Sequence, residues 1–170
     1  MRAAQARDMA AYNQWMNQRI FALCEEMSDA DRKQDRQAFF KSIHATLNHI
    51  LLADKIWMGR FTDEPYVVAG LDAELHADFA ALKGDRERTD QAIIDWAGSL
   101  TDELLEGRLE YQSLVNPAPR RLEMWLAVSH FFNHQTHHRG QLTTLLTQAG
   151  LDVGVTDLIW LPQVLERNAF

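Results

Sequence analysis

Little in this chain would cross-link it covalently or hold it in a membrane. Cys24 is the one cysteine among 170 residues, so no internal disulfide can form, which suits a reducing compartment. The first eight residues lack the apolar run of a signal peptide. No apolar stretch approaches the ~20 residues that a transmembrane helix needs. We therefore expect a cytoplasmic protein with no membrane partner.

Positive charge is also in short supply. The formal net charge is −7, and the 17 lysine and arginine residues are scattered along the chain. A nucleic-acid-binding surface needs clustered lysine and arginine to contact phosphates. The composition therefore predicts that nucleic acid is not a partner.

Several well-known catalytic signatures are absent. The zincin motif HExxH needs a glutamate as general base, but Gln135 stands in that place, and glutamine cannot take a proton. There is no Glu-x-x-His pair of the di-iron type, no GxSxG, no P-loop and no GxGxxG. Cys24 has no basic neighbour in sequence, so we expect a buried, inert thiol.

What the chain does contain is helical periodicity. Apolar residues recur at three- and four-residue steps, which predicts an all-α, four-helix bundle. The predicted helices span residues 3–27, 37–61, 72–98 and 121–149. Alternation over 109–113, with a turn at 116–119, predicts a short β-hairpin before the last long helix.

The remaining segments complete this picture. Gly150 is a good helix stop, and the tail 151–170 is expected to pack against the bundle or against a partner subunit. The charged run 85–88 is expected to form a solvated face of the third helix. No internal repeat or boundary divides the chain, so residues 1–170 are expected to form one domain.

Histidine is concentrated near the end of the chain, where four of the seven fall between His130 and His138. His134 and His138 are one turn apart on a helix and can reach one metal ion. A third ligand must come from another helix, and we predict His49. His44 lies about 140° away around that helix. We expect His130 one turn above the pocket and His137 on the surface or at an interface, while His76 stands alone on the third helix. The alternative without metal is a set of histidines whose ring nitrogens are satisfied by hydrogen bonds.

Two stretches carry a resemblance to a known family. They are NHILLADKIW at 48–57 and NHQTHHRGQ at 133–141, and the early YNQWMN at 12–17 is similar as well. Together they resemble the DinB/YfiT family of bacterial bundle proteins. The resemblance covers most of the chain and implies an up-down-down-up four-helix bundle that is commonly dimeric.

The resemblance also implies a function. It matches His49, His134 and His138 to the family's three metal ligands, with zinc or nickel expected first and iron or manganese next. Asp54 matches the family's acidic position, but it lies about 140° from His49 around the helix, which argues against a direct metal bond.

The implied activity is that of a thiol-dependent S-transferase, using a low-molecular-weight thiol, or of a hydrolase. In either case a small-molecule substrate is expected, and Arg139 and Gln141 are candidates to orient it. The catalytic residues are not identified by the sequence. The alternatives are a non-catalytic metal-binding or stress-response protein and an interaction module without metal.

Overall fold

The computed structural model describes residues 1–112 and 118–169, and these are mostly helical. Four long helices form the bundle: α1 (Ala3–Glu25), α3 (Ile43–Phe61), α4 (Phe79–Ser99) and α6 (Met124–Gln148). The shorter elements are α2 (Asp29–Lys33), α5 (Asp102–Glu106), β1 (Arg108–Gln112), β2 (Pro119–Glu123), a 3-10 turn (Leu158–Trp160) and α7 (Pro162–Arg167). The predicted all-α, up-down-down-up four-helix bundle, with its short hairpin, is confirmed.

The four long helices form a closed square of contacts. α1 packs against α4 and α6, and α3 packs against the same two helices, so α1 and α3 occupy opposite corners. One half of the core is built around Met16, Ile20, Leu51 and Leu142, and the other around Phe131 and Phe132. The face of α3 that meets α6 is where the histidines come together.

Two helices begin later than predicted because a polar side chain caps each one. The second was predicted from residue 37, but Ser42 accepts a hydrogen bond from the backbone N–H of Ala45, and α3 begins at Ile43. The third was predicted from residue 72, but Asp78 accepts from the N–H of Ala81, and α4 begins at Phe79. His76 therefore lies in the connection before α4 and not on a helix.

The last long helix also begins later than predicted. Residues 119–123 pair as β2 with β1, in an antiparallel register that places Arg108 opposite Glu123 and Gln112 opposite Pro119. α6 therefore starts at Met124 and not at Arg121. Of the predicted strand and turn, residues 113, 116 and 117 lie outside the described residues.

The prediction for the charged run 85–88 was wrong for half of it. Asp85 and Arg86 are buried, and only the other two residues are exposed. The reason is a set of buried partners, because Arg86 contacts Asp54 at 2.6 Å and Asp90 at 2.9 Å. A charged group is retained in a core when such contacts replace its water.

The tail packs against the bundle, which was one of the two positions predicted for it. Gly150 ends α6 with a φ of +85°, and Val153 and Leu161 are buried in the core. Arg19 of α1 donates to the carbonyl of Val153 at 2.9 Å. Each of the described helices is too short or too polar to span a membrane.

Candidate metal centre

Three histidines from two helices meet on one side of the bundle. His49 of α3 and His134 and His138 of α6 each offer a ligand atom, and these atoms lie within 4.8 Å of one another. Their ring centroids are 4.4 Å to 5.3 Å apart. We call these three residues the histidine cluster. They are the three residues that the sequence singled out, and their role as metal ligands stays a prediction.

The spacing within α6 suits a shared ion. His134 and His138 are one turn apart, and their Nε2 atoms are separated by 3.1 Å. Two nitrogens bound to one tetrahedral zinc at about 2.0–2.1 Å would be about 3.3 Å apart. The two imidazoles therefore stand close to the separation that coordination requires.

Hydrogen bonds fix how two of the rings present their nitrogens. Nδ1 of His138 donates to the side-chain oxygen of Gln141 at 2.8 Å, and Nδ1 of His49 donates to the carbonyl of Leu71 at 3.4 Å. Because Nδ1 holds the proton in each case, the lone pair of a neutral ring lies on Nε2. In His138 that nitrogen faces His134.

Burial and mutual repulsion keep these imidazoles neutral. Burial, with repulsion from His138, lowers the pKa of His49 to about 4. Burial, with repulsion from His138 and His49, lowers the pKa of His134 to about 3. Burial also lowers the pKa of His138, although its hydrogen bond to Gln141 opposes the shift. Neutral imidazole is the form that binds metal.

Phe40 covers the cluster from a tight turn that precedes α3. Its ring stacks on His49, with centroids 3.9 Å apart and planes inclined by 23°, and it meets the ring of His138 edge-on at 5.5 Å. Lys41, at a φ of +65°, turns the chain just before the helix. The sequence placed Phe40 inside a helix and so missed this role.

Asn48 holds the connection between α3 and α4 beside His49. Its side-chain oxygen accepts from the backbone N–H groups of Leu75 and His76, both at 2.9 Å, and its nitrogen donates to the carbonyl of His76 at 3.1 Å. This connection also supplies the carbonyl of Leu71 that contacts His49. The sequence analysis named Asn48 only as part of the family-like stretch. The available signal in the sequence was an asparagine directly before a candidate ligand.

Asp54 is not close enough to join the histidine cluster. It is 1% exposed, accepts from Gln135 at 2.9 Å and is ion-paired with Arg86. This agrees with its predicted position on another side of α3. Asp54 instead belongs to a buried polar network inside the bundle.

The two residues considered for substrate binding have other partners. Arg139 is 3% exposed and donates to Asn13 of α1 and to the hydroxyl of Thr136. It therefore points into the bundle. Gln141 accepts from His138, as described above, and so orients a ring of the cluster.

The other four histidines lie outside the cluster. His130 is exposed one turn before His134, with its ring 5.0 Å from that of Trp57, and His137 is exposed on α6. His44 is buried on another face of α3, where its Nε2 donates to the carbonyl of His76 at 2.8 Å. His76 was expected to stand alone, but its Nε2 contacts Asp85 at 2.8 Å.

One concavity borders the cluster, and another lies near it on the side of Gln141. The first, of about 250 Å³, is lined by His49, Phe40, Asn48 and the segment 71–74. The second, of about 460 Å³, is lined by Phe39, His137, Gln141 and neighbouring residues of α6 and of the turn before α3. The first offers room for a small molecule next to His49, whereas none of the three cluster histidines lines the second.

The fold and the site define an all-α bundle with a three-histidine group that is compatible with binding a metal ion. The DinB family model matches residues 1–168, and the chain belongs to the DinB family. The chain is 29% identical over 149 residues to the Protein DinB of Bacillus subtilis (strain 168), covering 86% of this chain and 87% of that protein.

A solved structure shares the fold. It is a DinB-like protein from Bacillus cereus ATCC 10987, matched with a TM-score of 0.64 and 20% sequence identity over 85% of this chain and 90% of that one. At that identity the likeness supports the arrangement of the helices alone.

Proposed function

We propose that this protein binds one divalent transition-metal ion through His49, His134 and His138. The observation that carries the proposal is that ligand atoms of all three lie within 4.8 Å of one another. Three neutral imidazoles favour zinc or nickel, with iron or manganese next, over the oxygen-seeking magnesium and calcium.

The test is metal analysis of protein purified without an affinity tag. The wild type is expected to hold one equivalent, and His49→Ala or His134→Ala is expected to hold none while keeping its helical spectrum. His137→Ala is the matched control, because that exposed histidine lies on the same helix. A full equivalent in either ligand variant would show that the assignment is wrong. If metal-free wild-type protein takes up no added zinc or nickel, an interaction module without metal becomes the better hypothesis.

We further propose that the metal centre is catalytic, either in a thiol-dependent S-transferase or in a hydrolase. Catalytic sites with three protein ligands leave one position for substrate or water. No carboxylate from the described residues joins the cluster, so a bound divalent cation keeps its charge for an anionic ligand. The concavity lined by His49 supplies space for a substrate.

The chain's own residues would orient and shield the centre. Leu71 and Gln141 accept hydrogen bonds from Nδ1 of His49 and His138 and so help to orient the two rings. Phe40 keeps water from one face of His49. A bound metal would lower the pKa of a coordinated thiol or water and so supply a nucleophile at neutral pH.

The alternative is a non-catalytic metal-binding protein of the stress-response kind. One observation favours it, because the three ligands join α3 to α6 and a bound ion would then stabilise the bundle. Turnover decides between the two. Metal-loaded protein is assayed with small thiols plus electrophilic acceptors and, separately, with activated esters. Turnover that disappears in His134→Ala supports the enzyme, and metal binding without turnover supports the alternative.

A cytoplasmic location and a homodimer complete the proposal. Cys24 is fully buried, and burial raises the pKa of its thiol to about 12, which suits a reducing compartment where it stays inert. The tail exposes Ile159 and Trp160, which a second subunit would cover. Sedimentation measurements would determine the oligomeric state.

A further inference from the structure

A second connection joins the same two helices that the histidine cluster joins. The side-chain nitrogen of Gln135 on α6 donates to Oδ1 of Asp54 on α3 at 2.9 Å. Both residues are buried, at 0% and 1% exposure. Gln135 directly follows His134, and Asp54 is five residues beyond His49, about 7.5 Å along the helix.

The two connections lie on opposite sides of the contact between α3 and α6. Gln135 is about 100° around α6 from His134, and Asp54 is about 140° around α3 from His49. The cluster lies at the outer edge, where His49 and His134 are half-buried, and the Asp54–Gln135 hydrogen bond lies inside the bundle. A contact on each side of a helix pair restrains rotation of either helix about its axis.

Asp54 is itself held in place by the rest of the network. Its second oxygen accepts from Arg86 of α4 at 2.6 Å, and Arg86 also contacts Asp90 at 2.9 Å. Asp90 in turn accepts from Asn17 of α1 at 2.9 Å. Arg86 thus holds the acceptor offered to Gln135, while Asn17 contacts Asp90 and not Asp54.

We propose that Gln135 is a positioning residue for the metal centre. Its hydrogen bond to Asp54 sets the rotation and axial position of α6 against α3, so that His134 and His138 face His49 before any ion arrives. This inference rests on the proposed function, since it assigns a role toward the same ion. It predicts that breaking this hydrogen bond lowers metal affinity more than a destabilising change elsewhere in the bundle does.

The decisive variant is Gln135→Met, which keeps the volume and leaves Asp54 paired with Arg86. The affinity for Zn²⁺ is measured by competition with a chromophoric chelator, and the geometry by the visible spectrum of the Co²⁺-loaded protein. We expect binding at least tenfold weaker than in the wild type, together with an altered Co²⁺ spectrum. A loss of affinity of this size is expected when a group that orients a metal ligand is removed.

Two further variants separate positioning from stability. Asn17→Leu removes a buried hydrogen bond of the same network on the α1–α4 side, away from the cluster. Asp54→Asn keeps a hydrogen bond to Gln135, because the side-chain oxygen of Gln135 has no partner among the described residues and can accept after its amide turns over. Both are expected to unfold at lower urea concentration and to keep Zn²⁺ affinity within threefold of the wild type.

Each outcome decides the matter. A Gln135→Met protein whose Zn²⁺ affinity falls by less than tenfold would overturn the inference, as would an equal loss in Asn17→Leu. If Gln135→Met does not fold, Gln135→Ala is judged by the same threshold. Failure of the wild type to bind Zn²⁺ would instead count against the proposed function, so the two failures are distinguishable.

Discussion

The molecule places histidines in two regions that differ in what their nitrogens face. In the histidine cluster, three imidazoles point toward one another without a carboxylate in the group. In the second region, around the start of α4, Nε2 of His44 donates to the carbonyl of His76, and the ring of His76 contacts Asp85, which Lys55 also contacts. The histidines of the second region contact oxygen atoms of the protein through Nε2, while those of the cluster bring ligand nitrogens within 4.8 Å of one another.

This difference separates a candidate ligand from a structural histidine. In the cluster, burial and neighbouring imidazoles lower the pKa values of His49 and His134, and the hydrogen bond from His49 to Leu71 opposes this only in part. In the second region burial opposes ionisation of Asp85, but hydrogen bonds from His76 and Lys55 lower its pKa overall.

The largest effect is expected from removing one imidazole of the cluster. With Zn²⁺ at a thousand times its Kd, metal binding should stabilise the wild type by about 4 kcal/mol. His134→Ala should show no such gain, while His76→Ala should keep it. Thermal melts of chelator-stripped protein with and without Zn²⁺ measure the difference. A full Zn²⁺ shift in His134→Ala would erase the distinction between the two regions.

A smaller loss is expected when an orienting contact is removed. Gln141→Ala takes away the acceptor for Nδ1 of His138, so the ring loses its fixed orientation. We expect Zn²⁺ affinity to fall by about tenfold. Gln148→Ala, an exposed glutamine on the same helix, is the control. Equal affinities of the two variants would mean that packing alone holds the ring of His138.

A further contrast is expected in the pH dependence of metal-free protein. The pKa values of His49 and His134 are about 4 and about 3, below the ordinary 6.5, so the unfolded chain binds more protons as pH falls below about 6.5. The free energy of unfolding should therefore be level above that pH and should decrease between pH 6.5 and 4. Urea unfolding measures it.

The matched control for that experiment is the double variant His49→Asn/His134→Asn. Carboxylates titrate in the same range in both proteins, so only the difference between the two curves reports the histidines. Parallel curves would show that the two imidazoles titrate alike in the folded and unfolded chains.

The smallest effect is expected in the second region. His76→Ala removes the contact with Asp85 but leaves Lys55 in place, so we expect a loss of about 1 kcal/mol in the free energy of unfolding. Zn²⁺ affinity should stay within twofold of the wild type. A large loss of affinity would show that the connection held by Asn48 transmits strain to His49.

Much of the fold could be predicted because it depends on local periodicity. The long helices, the turn at Gly150 and the short strand after α5 each have a signal within a few residues. The position of His49 relative to α6 followed from the resemblance and from helical spacing. The sequence could not show that Phe40 leaves the helix, because an apolar pair before Ser42 fits a helical stripe as well as a turn.

The buried ion pairs were missed for a different reason. The run around Arg86 has the composition of a solvated face, and composition does not report where partners lie in other helices. The spacing did hold a clue, because Leu82, Arg86, Thr89 and Ile93 recur at steps of four, three and four, and all are buried on α4. Arg86 thus occupied the core stripe, but its partner Asp54 is 32 positions away in sequence.

The turn before α3 makes loop length critical at the metal centre. Phe39 is 83% exposed, while its neighbour Phe40 stacks on His49, and the backbone N–H of Lys41 bonds to the carbonyl of Ala38 at 2.8 Å. One residue inserted between Phe40 and Ser42 would shift this pair of aromatic rings relative to the helix. Homologues with a longer or shorter segment here should therefore differ in how open their imidazoles are to solvent, even where all three histidines are retained.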